Sequence, residues 1–159
     1  MALTRPLVIG IGNPLAGDDA AGRLVARQLA ARTVEFDVAE ADGEATRLMS
    51  LLGGRKRVVI VDACRSGAPV GTVLKFEAHE RPLPVDLSTL SSHGVGLAEA
   101  IEFARMLGGL PQHCTVYAIE GACFDLGQMV SQPVLASVDS LAALLREEFV
   151  VGLTPDAAC

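Results

Sequence analysis

Residues 7–22 have the sequence LVIGIGNPLAGDDAAG, in which an apolar run is followed at once by a glycine-rich loop and two aspartates. The run LVIGI is typical of a buried strand, because parallel sheets covered on both faces use nearly continuous Val, Ile and Leu. From Asp18 onward, Ala21, Leu24, Val25 and Leu29 recur at helical spacing. A strand, a glycine loop and a helix in this order predict an α/β fold with a parallel sheet.

The remainder of the chain repeats this alternation of strands and helices. VEFDVAEAD (34–42) alternates apolar and acidic residues like a half-exposed strand near an edge, and RVVIVDAC (57–64) is a second fully apolar strand. GTVLKFEA (71–78) and CTVYAIEG (114–121) complete five strands, whereas the proline-bearing stretch 79–92 is predicted to be a surface loop. We therefore expect a three-layer α/β/α sandwich with a mostly parallel, twisted five-stranded sheet.

Two further helices and the domain limits follow from the same patterns. A helix is expected in HGVGLAEAIEFARMLGGL (93–110), with Ser91 or Ser92 as its N-cap. The last helix is expected from about Pro133, and residues 1–150 are expected to form a single domain followed by a flexible tail at 151–159. Five apolar residues of the last helix are predicted to face the core: Val134, Val138, Leu141, Leu145 and Phe149.

Composition excludes several classes of function. The chain of 159 residues has a formal net charge of -6, so it lacks the basic excess needed to bind nucleic acid or an anionic membrane. No apolar run approaches the roughly 20 residues of a membrane helix. The four cysteines form no C-x-x-C pair and no signal peptide is evident, so we expect free thiols and a cytoplasmic location. We also expect a monomer, because no apolar stripe beyond the needs of the core is evident.

The glycine loop does not match a phosphate-binding motif. Gly10, Gly12 and Gly17 give G-x-G-x-x-x-x-G, which is neither the dinucleotide fingerprint nor a Walker loop. Asp18 and Asp19 would repel a phosphate at the helix N-terminus, and a cation suits them better. Either aspartate could instead be a structural N-cap. We expect Asp18 to cap the helix or support the loop, and Asp19 to bind.

Two further residues are candidates for the same site. Asp62 lies at the carboxyl end of a buried strand, where ligand sites of α/β sheets are found, although an acid there can also be structural. His93 stands at a predicted helix start, where the dipole helps to keep its ring neutral, although a lone histidine is more often structural than a ligand. Together with Asp19 they would suit a divalent metal that keeps open positions for a substrate or water. We predict that His79 and His113 are solvated surface residues.

Five segments in this order resemble the nickel-iron hydrogenase maturation proteases. They are GIGNPLAGDDAAG, VEFDVAEADGE, VVIVDAC, SSHGVGL and YAIEG, and the resemblance extends from about residue 7 to about residue 149. It implies a small cytoplasmic endopeptidase that removes a C-terminal extension from the hydrogenase large-subunit precursor after nickel insertion. The nickel would be carried by the precursor, and another divalent metal could occupy the same site.

The resemblance also implies roles for individual residues. Asp19, Asp62 and His93 match the family's metal-binding residues and would carry the catalytic site. Asp42 matches the acid of the family's D-G-G segment and is a further catalytic candidate, while Glu44 replaces the second glycine of that segment.

Two questions stay open at this point. A spare carboxylate, Asp18 or Asp42, would handle protons during hydrolysis. The alternative function is a non-catalytic Rossmann-like module that binds a nucleotide or senses nickel as a chaperone, in which Asp42 would occupy the place of a ribose-binding acid. Asp18 and Asp19 count against the nucleotide version.

Overall fold

The computed structural model describes residues 5–32, 35–84 and 96–151, and these contain a five-stranded sheet with the strand order β2-β1-β3-β5-β4. Strands β2, β1, β3 and β5 pair in parallel, and β4 pairs antiparallel with β5. The strand bounds are β1 Leu7–Ile11, β2 Asp37–Ala41, β3 Arg57–Cys64, β4 Val73–Glu77 and β5 His113–Glu120.

Helices cover both faces of the sheet, which confirms the predicted three-layer α/β/α sandwich. Helices α2 and α3 share one apolar cluster with the sheet, and α1 and α4 share the cluster on the other face. A short 3₁₀ turn, Gly17–Ala20, precedes α1. The helix bounds are α1 Ala21–Ala30, α2 Ala45–Leu52, α3 Leu97–Met106 and α4 Gln132–Val151.

The continuous apolar strands are explained by this two-sided burial. Ile9 of β1 belongs to the cluster with α2 and α3, whereas its neighbour Val8 belongs to the cluster with α1 and α4. Successive side chains of a strand point to opposite faces, so a strand covered on both sides needs apolar residues at every position. The five residues of α4 predicted to face the core are all buried.

The edge position of β2 is confirmed. Four of its five residues are only half-buried, and its acids form ion pairs instead of core contacts. Glu40 pairs with Arg27 at 2.9 Å, and Asp37 pairs with Arg55 at 2.6 Å. Charged side chains of this kind also protect an edge strand from pairing with another chain.

Two predicted helix starts are wrong. The α-helix after the glycine loop begins at Ala21 instead of Asp18, because Gly17–Ala20 form the tighter 3₁₀ turn. Helix α3 begins at Leu97 with Gly96 as its N-cap, later than predicted, and the predicted caps Ser91 and Ser92 lie outside the described residues. A Cβ at Gly96 would overlap the carbonyl oxygen of Gly43, so glycine allows the start of the helix to pack closely on this backbone.

Gly22 brings α1 unusually close to the sheet. A Cβ at this position would overlap the carbonyl oxygens of Ile11 and Val61, so only glycine allows the helix to pack here. The close packing places the start of α1, and the acids before it, over the ends of β1 and β3.

The remaining general predictions concern thiols and membranes. Cys64, Cys114 and Cys123 are free, as predicted. Across residues 5–32, 35–84 and 96–151, no helix has the length and apolar character needed to cross a membrane. The predicted tail at 151–159 begins with the last residue of α4, and residues 152–159 lie outside the described residues.

Candidate active site

Four acids lie at the edge of the sheet where its parallel strands end. Asp19 follows β1, Asp42 follows β2, Asp62 lies two residues before the end of β3, and Glu120 ends β5. Because ligands of open α/β sheets bind at this edge, these carboxylates form the candidate site.

Asp62 is a buried carboxyl group with an unused oxygen. Its side chain is at the end of a strand that is buried from Val58 onward, and the residue is only 2% exposed. One oxygen, Oδ1, accepts a hydrogen bond of 2.8 Å from the backbone N–H of Ala63. The other, Oδ2, is buried and has no hydrogen-bond partner in the described part of the chain. Such an atom is costly in a protein interior unless a ligand or proton satisfies it.

Burial raises the pKa of Asp62 to about 8, and the negative charge of Asp19 contributes to the increase. The 3₁₀ turn that carries Asp19 also contacts β3, the strand of Asp62. At neutral pH the protonated form of Asp62 is therefore favoured when no cation is present. A cation between the two groups would reverse this preference.

Asp19 is held by the loop that precedes it. It is 2% exposed, and its Oδ2 accepts a hydrogen bond of 2.9 Å from the backbone N–H of Asn13. The side chain of Asn13 in turn accepts a hydrogen bond of 3.0 Å from the backbone N–H of Leu15. Asp19 and Asp62 thus lie on contacting elements at one edge of the sheet, and the backbone N–H of Asn13 in G-x-G-N orients the carboxylate of Asp19.

The third predicted ligand, His93, lies outside the described residues. Gly96 follows it by three positions and lies against Gly43 at the same edge of the sheet. Within the described ranges, no group of three His, Cys, Asp or Glu side chains could hold a metal ion. The described residues therefore contribute two of the three predicted donors.

The donors that are described fit a divalent cation. The buried Oδ2 of Asp62 lacks a partner, and Asp19 supplies a second carboxylate beside it. Carboxylate oxygens are ligands for many divalent metals, and two of them leave coordination positions open.

Asp18 has a different role from that of its neighbour. It does not cap the helix, since no side chain caps either the 3₁₀ turn or α1. Its carboxylate accepts hydrogen bonds from the backbone N–H groups of Ala122 (2.7 Å) and Ser131 (2.7 Å), among others. Burial opposes ionisation, but the backbone hydrogen bonds outweigh it, and the pKa of Asp18 lies below its usual value. Of the two predicted roles, support of the loop structure is the one observed, and the supported loop is the distant segment after β5.

Asp42 lines an open groove beside the pair of buried acids. Its side chain is exposed, and its Oδ1 accepts a hydrogen bond of 3.1 Å from the backbone N–H of Glu44. The groove has a volume of about 660 Å³ and is also lined by Asn13 and Arg23. Asp42 is therefore accessible from the groove.

Glu44, the departure from D-G-G, is the N-cap of α2. Its carboxylate accepts hydrogen bonds from the backbone N–H groups of Thr46 (2.8 Å) and Arg47 (3.0 Å). These hydrogen bonds lower the pKa of Glu44. A negative charge at a helix N-terminus is stabilising, so the substitution strengthens the helix without closing the groove.

Glu120 is a site residue that the sequence analysis did not single out. Its carboxylate accepts hydrogen bonds from the backbone N–H (2.8 Å) and hydroxyl (2.7 Å) of Ser66, and from the backbone N–H of Gly67 (3.0 Å). It thereby fixes the loop that follows β3, the strand of Asp62. An acid at the end of an apolar strand is the signal that identified Asp62, and YAIEG carries the same signal.

The thiol of Cys64 donates a hydrogen bond to the carboxylate of Glu120. Its Sγ lies 3.3 Å from Oε2 of Glu120. Burial, together with the hydrogen bond to Glu120, raises the pKa of the thiol to about 12. Since the thiolate is the reactive form, the raised pKa disfavours a role for Cys64 as a nucleophile.

The two other histidines lie away from the site. His113 is exposed, as predicted, and begins β5 at the opposite edge of the sheet. The prediction for His79 is wrong, because its half-buried ring packs edge-on against His113, with 5.4 Å between the ring centroids, and contacts the backbone of Cys114.

A family model and a curated relative both identify similar proteins as hydrogenase maturation proteases. Residues 23–148 match the model of a family described as hydrogenase maturation protease. The chain is 28% identical over 162 residues to the hydrogenase 2 maturation protease of Escherichia coli, and the match covers 96% of this chain and 98% of that protein.

Solved structures of the same kind share the fold. The hydrogenase maturating endopeptidase HybD from E. coli superimposes with a TM-score of 0.72 at 27% identity, covering 91% of this chain and 93% of that one. Another endopeptidase from E. coli gives a TM-score of 0.75 at 25% identity, with the same coverage. These similar structures are described as endopeptidases.

Proposed function

The chain belongs to the hydrogenase maturation protease family, and we propose that it removes the C-terminal extension from a nickel-iron hydrogenase large-subunit precursor after nickel insertion. The peptidase activity is that of the family. The observation that carries the finer proposal is the unpartnered, buried Oδ2 of Asp62 beside the second carboxylate of Asp19.

The nickel of the precursor is the group that these carboxylates recognise. In the proposal, Asp19 and Asp62 supply oxygen ligands and His93 supplies a nitrogen ligand, while the precursor keeps its own ligands to the metal. Recognition would depend on nickel because the pair of acids favours a proton on Asp62 when no cation is present. A precursor without nickel would then lack the contact that positions its C-terminal segment for cleavage.

The groove beside the acids is the proposed binding place of the segment that is cut. Its volume of about 660 Å³ is ample for several residues of an extended peptide. The groove begins at the loop that holds Asp19, so a peptide lying in it would pass next to the metal-binding acids.

Asp42 is the group we assign to proton transfer. Hydrolysis adds a hydroxyl to the carbonyl carbon of the cleaved bond and a proton to the leaving amine. Asp18 is unsuited to this role because its carboxylate is occupied by several hydrogen bonds. Asp42 is exposed and lines the groove, so it can reach both water and peptide. Of the two acids considered for proton transfer, the proposal therefore assigns Asp42.

The non-catalytic alternative has less support. The matched family and the similar structures are described as proteases and endopeptidases. Two buried acids also occupy the turn where a nucleotide phosphate would need backbone N–H groups and a positive field.

The test uses purified components. Nickel-loaded precursor is incubated with the wild-type protein and with the variants Asp19→Asn, Asp62→Asn and His93→Ala, and the mass of the large subunit is measured. We expect the wild type to shorten the subunit and each variant to lose at least about 100-fold in rate. Asp139→Asn, an exposed acid on α4, is the matched control and should process normally. Normal processing by the Asp62→Asn or His93→Ala variant would refute the metal-recognition part of the proposal.

A further inference from the structure

Three large apolar side chains project into solvent from two loops at the edge that carries the acids. Leu15 is 71% exposed, Leu126 is 72% exposed and Met129 is 88% exposed. Leu15 belongs to the loop after β1, and the other two belong to residues 121–131, the loop after β5. We call these three residues the apolar patch.

The two loops are tied together by hydrogen bonds. The backbone N–H of Gly127 donates to the carbonyl of Leu15 at 2.9 Å, and that of Asp18 donates to the carbonyl of Cys123 at 2.8 Å. The carboxylate of Asp18 holds the loop near both ends, through Ala122 and Ser131. The apolar patch therefore stands on an ordered frame, which reduces the conformational entropy lost on binding.

The frame is continuous with the proposed catalytic site. The backbone N–H of Leu15 donates to the side chain of Asn13, and the backbone N–H of Asn13 donates to Asp19. Asn13 and Pro14 of the same loop line the groove, so a peptide bound there would lie next to Leu15.

We propose that the apolar patch is a docking surface for an apolar segment of the hydrogenase large-subunit precursor. The inference rests on the proposed function, because it takes the precursor as the protein that reaches Asp19. Exposed apolar side chains surrounded by polar ones are characteristic of protein interaction sites. Arg65, exposed and stacked at 4.2 Å over the ring of Phe124 in the same loop, supplies part of a polar rim.

The chemistry of the patch favours a protein over a lipid surface. Asp125 lies next to Leu126 in the sequence and is exposed, and the chain has a net charge of -6. An anionic bilayer would be repelled by this charge, whereas an apolar protein segment would not.

The molecule also contains a matched control surface. Met106 and Leu107, at the end of α3, are 80% and 76% exposed. Helix α3 begins beside Gly43 and leads to the start of β5, so its C-terminal end lies at the opposite edge of the sheet. Substitutions there remove similar exposed apolar area without touching the frame around Asp19.

The experiment compares the double variants Leu126→Ser/Met129→Ser and Met106→Ser/Leu107→Ser with the wild type. Binding to the immobilised nickel-loaded precursor gives the Kd, and the mass of the subunit gives the processing rate at saturating enzyme. We expect the first variant to bind about tenfold more weakly or worse, with little change in the saturated rate, and the second to match the wild type. Circular dichroism and the melting temperature verify that both variants fold.

Several results would overturn the docking proposal. They are an unchanged Kd for the Leu126→Ser/Met129→Ser variant, an equal loss in the control variant, or the absence of any complex with the wild type. A wild-type dimer that this variant dissociates, with precursor binding unaffected, would assign the patch to a second copy of the chain and likewise overturn the proposal. A precursor that binds at the patch but is not cut by the wild type would refute the proposed function and leave the docking surface standing.

Discussion

The carboxylate of Asp18 accepts a hydrogen bond of 2.7 Å from the backbone N–H of Ser131, a residue 113 positions later in the chain. Its neighbour Asp19 instead accepts from Asn13, within the same loop, and lies near Asp62. Two adjacent aspartates thus have separate tasks. The first joins the loops at the edge of the sheet, and the second belongs to the proposed metal site.

Replacing Asp18 with Asn should destabilise the fold. The amide keeps one acceptor oxygen but places an NH₂ group against backbone N–H donors, so we expect the free energy of unfolding to fall by about 2–4 kcal/mol at pH 7. Urea unfolding measures the change.

The pH dependence of this effect has a definite sign. The folded-state pKa of Asp18 is lowered, so its stabilisation is present above the unfolded-state value of 3.8 and is lost as the pH falls through the folded-state value. The difference between wild type and Asp18→Asn should therefore shrink in acid. The free energy of unfolding of the control Asp139→Asn, an exposed residue, should stay within about 0.5 kcal/mol of the wild-type value both at pH 7 and in acid. An equal loss in the two variants at pH 7 would contradict the role assigned to Asp18.

Much of the fold could be predicted from the sequence because local patterns carry it. Strand β3 is buried on both faces and its sequence is apolar at nearly every position, whereas the edge strand β2 is mostly half-buried and alternates apolar and acidic residues. These patterns predict the burial of each strand. The inward residues of α4 follow from helical spacing. The starts of α1 and α3 were mispredicted because they depend on distant contacts, such as that of Gly96 with Gly43.

The candidate site was predictable only in part. Asp19 and Asp62 could be placed at one edge because parallel strands end together. The partners of Asp18 and Glu120 could not be predicted, because their hydrogen bonds join loops more than 50 residues apart in sequence. His93 lies outside the described residues, and its role stays a prediction.

The stability of the metal-free protein should decline as the pH rises from about 4 to about 8. The pKa of Asp62 is raised from 3.8 to about 8, so in this range the folded state binds a proton that the unfolded state has released. Asp62→Asn mimics the protonated form and should weaken the decline by at least about 1 kcal/mol. Unfolding in a chelating buffer at pH 5 and pH 8 measures both slopes. Parallel pH profiles for the two proteins would contradict the raised pKa.

Gly22→Ala should destabilise the protein although it favours the helix. Alanine stabilises a helix interior by up to about 1 kcal/mol relative to glycine. A Cβ at Gly22, however, would overlap the carbonyl oxygens of Ile11 and Val61, and such overpacking costs about 1–3 kcal/mol or more. The net expected effect is a lower melting temperature. Gly53→Ala, where the nearest atom would be 3.6 Å away, is the control and should melt close to the wild type.

Glu120→Gln should slow precursor processing. The amide cannot serve all the donors of Ser66, Gly67 and Cys64, so the loop after β3 should loosen and the free energy of unfolding should fall by about 1–3 kcal/mol. Because the loop follows the strand of Asp62, the processing rate at saturating enzyme should fall as well. Assays are run well below the melting temperature, with the exposed Glu147→Gln as control. Destabilisation without any loss of rate would limit Glu120 to a structural role.

The most direct test of the central claim is the mass of the hydrogenase large subunit co-expressed with this protein, in cells grown with and without nickel. The account predicts that the subunit loses its C-terminal extension only with nickel and the wild-type protein. It also predicts that the Asp19→Asn and Asp62→Asn variants leave the subunit at full length. A subunit that stays at full length beside the wild-type protein in nickel-fed cells, or one that is shortened equally by the variants, would contradict the account.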